Sequence, residues 1–265
     1  MKLFFRKYGE NKPQLIIVHG LYGSSDNWVS YAKKLSQFFE VFVIDQRNHG
    51  NSPHSSEHNY YVMANDLLEF IDDNNIQKAI FLGHSMGGKT VMTFANKYPN
   101  RVVSLIVVDI SPVKYNSENL NKFDNNFHKQ ILIALNDKQI LKAESRKIAN
   151  EICYTYLKNK PITEFLLKNL KRTNNQFQWK LNVDAITNNI EKILESVNFE
   201  NPVVGFPCLF IKGERSNYIT TNDIRLISKL FPTSEIITIK NATHWVHTDQ
   251  PEIFLQTVIN FCLVQ

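Results

Sequence analysis

The chain has 265 residues, 43% apolar and 21% charged, with 30 basic and 25 acidic side chains and a net charge of +5. This length suits one large domain with a sizeable core, and the composition excludes a disordered chain. No apolar run approaches the ~20 residues that span a bilayer, and adjacent basic residues occur only as scattered pairs, Lys33-Lys34 and Lys171-Arg172 among them, so nucleic-acid binding is not expected.

The start, Met1-Lys2-Leu3-Phe4-Phe5-Arg6-Lys7, has an early charge but no apolar stretch behind it. That argues against a secretory signal and for a cytoplasmic protein. Residues 3–8 and 15–18 are short strand candidates, separated by a turn at Gly9-Glu10-Asn11-Lys12-Pro13. A helical pattern over 27–39 leads to a strand over 41–44, a helix over 60–74 and a strand over 79–82. A helix over 88–98 and a strand over 102–108 follow. Strand 208–211, helix 223–230, strand 236–239 and helix 251–261 close the chain. Most of these strands are continuous apolar runs, the signature of strands buried on both faces. Their alternation with helices predicts an α/β fold with a doubly wound, mostly parallel sheet.

The stretch 111–201 breaks the alternation. It shows helical patterns at 120–135, 137–157, 162–170 and 183–197 and no convincing strand, before Asn201-Pro202 marks the return. The expected organisation is a core of 1–110 and 202–265 with a helical cap, 111–201, inserted in it. Phe123, Phe127, Tyr154, Phe165 and Trp179 are candidates for cap residues above a site. The three cysteines, Cys153, Cys208 and Cys262, are far apart, and no HExxH or Cys/His cluster occurs, so no metal is expected.

The chain has nine glycines, and seven of them (Gly20, Gly23, Gly50, Gly83, Gly87, Gly88, Gly213) fall just after proposed strands. Ligands of open α/β sheets bind at those carboxyl ends. Strand 79–82 runs into Gly83-His84-Ser85-Met86-Gly87-Gly88 and then a helix. Gly-x-Ser-x-Gly in that setting is a nucleophile elbow, in which a strained turn lifts the serine hydroxyl above the sheet. Glycine is needed two residues to either side, because a Cβ there would strike the neighbouring strand or helix. Ser85 is therefore the candidate nucleophile.

A serine hydroxyl needs a base. His244 follows the last strand in Lys240-Asn241-Ala242-Thr243-His244-Trp245 and is the candidate; His247 competes from one turn into the next helix. His84 is expected to point into the core. The acid usually follows the strand at 208–211, but Ser216 stands where it would be, in Lys212-Gly213-Glu214-Arg215-Ser216-Asn217-Tyr218. Glu214 and Asp223 are at the wrong distance. Asp109, emerging from the apolar run 102–108, is the alternative; a buried carboxylate there needs a partner, though turn formation with Ser111-Pro112 would also explain it. Asp109 is assigned to hold the His244 tautomer, with Ser216 nearby as a neutral hydrogen-bonding group. Backbone N–H groups of Leu21 and Met86 are the expected oxyanion donors.

Taken together, His19–Ser24, Asp45–Ser52, Gly83–Gly88, Val108-Asp109-Ile110-Ser111-Pro112, Gln178–Asn182 and Gly213–Tyr218 resemble the α/β-hydrolases of the small bacterial YbfF-type esterase group. The resemblance spans nearly the whole chain. It implies hydrolysis of carboxylic esters or thioesters, an all-helical cap, no cofactor, and the approach of both Asp109 and Ser216 to His244. For Asp45–Ser52, an active-site wall and a simple turn remain equally open. The expected substrate is a small-molecule acyl ester or thioester of short to medium chain. Acyl transfer, carbon–carbon bond hydrolysis, a cofactor-biosynthesis step, or ligand binding without catalysis are the alternatives.

Overall fold

The apolar runs of the sequence become strands of one sheet in a computed structural model that describes residues 1–115, 122–174 and 176–263, the side chains of 122–126 excepted. The strands are β1 (Phe5–Tyr8), β2 (Gln14–Val18), β3 (Glu40–Ile44), β4 (Ala79–His84), β5 (Val102–Val108), β6 (Leu170–Thr173), β7 (Gln176–Trp179), β8 (Cys208–Gly213) and β9 (Ser234–Ile239). Seven of them form the sheet in the order β1-β3-β2-β4-β5-β8-β9. Only β1 runs antiparallel to its neighbour. Every residue of β3 and β4 is buried, which is why their sequences read as unbroken apolar runs.

The helices are α1 (Val29–Leu35), α2 (Tyr60–Asp73), α3 (Met86–Lys97), α4 (Lys122–Asn136), α5 (Lys138–Lys142), α6 (Arg146–Leu157), α7 (Lys160–Leu167), α8 (Val183–Leu194), α9 (Thr221–Leu230), α10 (Val246–Asp249) and α11 (Pro251–Leu263). Successive residues of a strand serve opposite faces. Ile16 and Val18 of β2 join Leu67, Phe70, Val91 and Phe94 of α2 and α3. Leu15 and Ile17 join Ala32, Leu35, Phe254 and Val258 of α1 and α11. Helices thus cover both faces, the doubly wound arrangement expected. The helix expected at 27–39 is shorter: a single 3-10 turn at Ser25–Trp28 precedes α1. Among the described residues no helix is long and apolar enough to cross a membrane.

Between β5 and β8 lie α4 to α8 and a hairpin, packed around an apolar cluster that also takes in Leu21 and Tyr22 from the loop after β2. The hairpin corrects the all-helical expectation. β6 and β7 pair antiparallel, with Leu170 opposite Trp179. Gln176-Phe177-Gln178-Trp179 alternates, its two apolar residues buried and its glutamines exposed. That is a half-buried strand, but four residues are too few to stand out between helical patterns. The helix expected over 137–157 divides into α5 and α6, because the Ser145 side chain accepts the Ile148 N–H and starts a new helix.

We propose residues 111–201 as a cap unit, since its two connections to the core run side by side. Tyr115 N–H donates to Leu194 C=O and Val197 N–H to Pro112 C=O, each at 2.8 Å. Lys89 of α3 ties both connections: its buried Nζ donates to the carbonyls of Val113, at 2.7 Å, and Glu195, beneath the Tyr115 ring at 4.6 Å. Burial pulls its pKa down to about 7, against the opposing pull of the Glu195 charge. Below that pH, folded and unfolded chains both carry the charge and the burial cost is full. Above it the unfolded chain holds the extra proton, so Lys89's contribution to stability rises with pH until the ordinary value of 10.5. In denaturant titrations, wild type should therefore gain on Lys89→Met between pH 7 and about 10. A constant difference across that range would count against this account.

Candidate active site

Ser85 sits between the last residue of β4 and the first of α3, at φ 53° and ψ −121°. A non-glycine residue at positive φ carries strain, and such residues gather at functional sites. The flanking glycines are forced. A Cβ on Gly83 would lie 2.3 Å from the Gly87 carbonyl oxygen, and one on Gly87 would lie 2.2 Å from that of Val18 in β2. The turn can close only because both positions lack side chains.

His244 lies in the loop after β9, and its Nε2 is 2.9 Å from Ser85 Oγ. On the other edge of the ring, Nδ1 is 2.8 Å from Asp109 Oδ2. Asp109 leaves the end of β5 fully buried. Its carboxylate also accepts the Gly213 N–H at 2.8 Å and the Ser216 O–H. Three donors replace the water that burial removed, and bonds to an ionised acceptor are the strong ones. The sequence expectation placed Asp109 and Ser216 together near His244, and the fold brings them there from the ends of adjacent strands.

The other acids are used elsewhere. Glu214 accepts the Asn241 N–H at 2.9 Å, and Asp223 joins Thr220 in the capping box of α9. His247 is buried and stacks on Trp28 at 4.4 Å. Burial holds its pKa down at about 3, with the nearby His244 acting in the same direction. His84 is buried too and donates Nε2–H to the His244 carbonyl at 2.9 Å, fixing the backbone of its neighbour.

Met86 opens α3, so its N–H belongs to the helix's first turn, which has no partner within the helix. Gly20, just before Leu21, lies so close to Ser85 that a Cβ there would be 3.2 Å from the serine Cβ. The expected oxyanion donors therefore flank Ser85, and the two side chains pack together with Tyr60, Met63 and Ile193.

The segment Asp45–Ser52 is neither an active-site wall nor a simple turn. It is a buried frame under the Leu21 loop. Asp45 accepts the N–H groups of Ser25 at 2.6 Å and Asn51 at 2.8 Å. His19 Nε2 accepts the Gln46 N–H at 3.0 Å, and Arg47 grips Asp66 through two bonds of 2.6 and 2.8 Å. Burial keeps His19 and His49 neutral, their pKa values pushed down.

A cavity of about 930 Å³ opens above Ser85 and His244 and is lined by Leu21, Phe127, Ile131, Ile162, Phe165 and Trp245, among others. Phe165 of the cap meets Trp245 edge-on at 4.4 Å. Of the other cap aromatics, Trp179 is core, its Nε1–H bonded to the Leu135 carbonyl, and Tyr154 is exposed. The Phe123 side chain lies outside the described residues. Sequence reasoning gave no role to Tyr218, whose ring stacks on His244 with centroids 3.9 Å apart; its place two residues after Ser216 was the available signal. Among the described residues no group of three or more His, Cys, Asp or Glu side chains could hold a metal ion.

A doubly wound sheet carrying a serine, a histidine and a buried carboxylate in one hydrogen-bonded row defines the class, a serine-type hydrolase. The chain belongs to the alpha/beta hydrolase fold family, which it matches over residues 13–251. It is 39% identical over 258 residues to the sn-1-specific diacylglycerol lipase ABHD11 of Danio rerio, covering 96% of this chain and 79% of that one. Esterase YbfF of Escherichia coli (strain K12) is 33% identical over 249 residues, covering 94% and 92%. Among solved structures, one described as a marine microorganism esterase superposes with a TM-score of 0.94 at 45% identity, covering 98% of this chain and 99% of the other.

Proposed function

We propose that this protein is a serine esterase or thioesterase that hydrolyses small acyl esters of short to medium chain through an acyl-enzyme on Ser85. The observation that carries the reading is the unbroken row from Ser85 Oγ to His244 Nε2 and from His244 Nδ1 to Asp109 Oδ2, at 2.9 and 2.8 Å. In this mechanism His244 takes the Ser85 proton as Oγ attacks the acyl carbonyl, and then gives it to the leaving alcohol or thiol. Asp109 holds Nδ1 protonated and stabilises the imidazolium. Ser216 and the Gly213 N–H hold Asp109. The Leu21 and Met86 N–H groups receive the oxyanion. Water activated by His244 then releases the acid. The apolar side chains on the cavity wall, Leu21, Phe127, Ile131, Ile162, Phe165 and Trp245, suit an acyl chain, and the named activities of the relatives point to the same bond. The proposal places the protein in the cytoplasm, where its cysteines, free in this structure, would stay reduced.

A fluorophosphonate probe should label Ser85, and esters and thioesters of graded acyl length should show a preferred range. Folded protein that neither labels nor turns over any of them would overturn the proposal. The pH profile adds a second expectation. The other histidines lining the cavity are held low by burial: His247 at about 3, His128 at about 4, His84 well below the ordinary value, and His19 also lowered. A base that must be neutral to accept the Ser85 proton gives kcat/KM one limb that rises with pH and then levels, and the cavity's other histidines add no second limb near neutral pH. A flat profile with chemistry rate-limiting would remove His244 as the base.

A further inference from the structure

Leu21, which the mechanism above uses as an oxyanion donor, stands in a four-residue turn closed by the Gly23 N–H on the Gly20 carbonyl at 3.0 Å. The third residue of that turn, Tyr22, has φ 62°. Turns with positive φ at that position ordinarily place glycine or asparagine there. A tyrosine holds such a backbone only where its surroundings over-determine it.

Tyr22 is held at three points. Its N–H donates to His49 Nε2 at 3.2 Å, from the buried frame below. The other two contacts come from above, out of the proposed cap. Asn169, in the connection from α7 to β6, donates Nδ2–H to the Tyr22 carbonyl at 2.7 Å. His128 of α4 meets the Tyr22 hydroxyl through Nδ1 at 3.3 Å. Asn169 is itself buried and fixed. Its Nδ2 also donates to the Leu166 carbonyl at 3.1 Å, and its backbone carbonyl accepts the Lys180 N–H at 2.8 Å. The amide has one orientation in which both acceptors are met, so it presents a fixed donor to the strained turn.

We propose that Asn169 is a positioning residue for the oxyanion hole: by clamping the Tyr22 carbonyl it keeps the Leu21 N–H aimed above Ser85, so the inserted segment completes the catalytic framework as well as covering it. The inference rests on the esterase reading. Asn169 touches neither substrate nor triad and acts only through the Gly20–Gly23 turn. Its loss should therefore be felt where oxyanion charge develops and not where substrate binds.

The test compares wild type with Asn169→Ala on a short acyl ester. Losing one oxyanion donor outright costs ~10²–10³ in kcat, so loosening one should cost ~10–100-fold. KM should stay within ~3-fold, because the lost interaction belongs to the transition state. A boronic acid, whose tetrahedral adduct puts an oxygen in the hole, should lose affinity in parallel with kcat. The His244 limb of the pH profile should not move. Hydrogen exchange in residues 19–23 should quicken, a readout that needs no turnover. If the alanine variant does not fold, Asn169→Ser carries the same measurements. Unchanged kcat and unchanged exchange in a folded variant overturn the clamp, as does a loss that appears in KM alone or shifts the pH limb. A wild type that turns over no ester overturns the functional reading instead, and exchange then decides the clamp by itself.

Discussion

Ser85→Ala should remove ester hydrolysis almost entirely while leaving the fold in place. In subtilisin, loss of the nucleophile costs ~10⁶ in kcat, and what survives comes from the oxyanion hole and binding. A loss of the same order is expected here. The Ser85 side chain makes one hydrogen bond, to His244, and the backbone bond from Ser85 N–H to the Val108 carbonyl at 3.0 Å does not involve it. Alanine at φ 53° is no more strained than serine, so stability should change little. The measurement is kcat on purified protein, with circular dichroism to establish folding and active-site titration to bound wild-type contamination. Turnover within ~10-fold of wild type would end the serine mechanism, since no effect of the hole alone reaches that level.

The central sheet was legible because its signals are local. Val41-Phe42-Val43-Ile44 and Ala79-Ile80-Phe81-Leu82 are buried on both faces, and a doubly buried strand cannot hide its composition. Ser85 was legible for a related reason. The constraint on Gly83 and Gly87 is steric, and a steric demand for glycine leaves a fixed spacing in the sequence. Asp109 was legible as a buried charge needing a partner, although its partners lie 104 to 135 residues away. The frame at Asp45–Ser52 was not. Its donors and acceptors belong to Ser25, His19 and Tyr22, and polar residues in a turn-rich stretch look the same whether they bind each other or water. Asn169 was invisible for the strongest form of that reason. It meets Tyr22 147 residues away, through an amide that no spacing rule singles out. The hairpin β6-β7 failed on length alone.

Asp109→Asn should cost at least ~10²-fold in kcat, and the equivalent change in a serine protease costs ~10⁴. The carboxylate accepts three hydrogen bonds, from Gly213 N–H, Ser216 O–H and His244 Nδ1–H. The Gly213 N–H can only donate, so an asparagine keeps its oxygen at the Oδ1 position and places its NH₂ at the Oδ2 position, facing both Ser216 and His244. Nδ1 must then accept, the proton moves to Nε2, and the nitrogen facing Ser85 can no longer take a proton from it. Ser216→Ala leaves the charge and the tautomer intact and removes one donor, so ~3–30-fold is expected. The double variant Asp109→Asn with Ser216→Asp separates charge from position. Ser216 Oγ touches the same Oδ2 atom that receives His244, so a carboxylate grown from position 216 enters the neighbourhood of Nδ1. Partial recovery over Asp109→Asn is the expected result, measured as kcat on the same ester. A folded Asp109→Asn enzyme with full activity would remove the residue from the mechanism. Glu214 would be a poor replacement, because its carboxylate is spent on the Asn241 N–H in an exposed loop; the imidazole would then have to be oriented by the Tyr218 stack and the backbone alone.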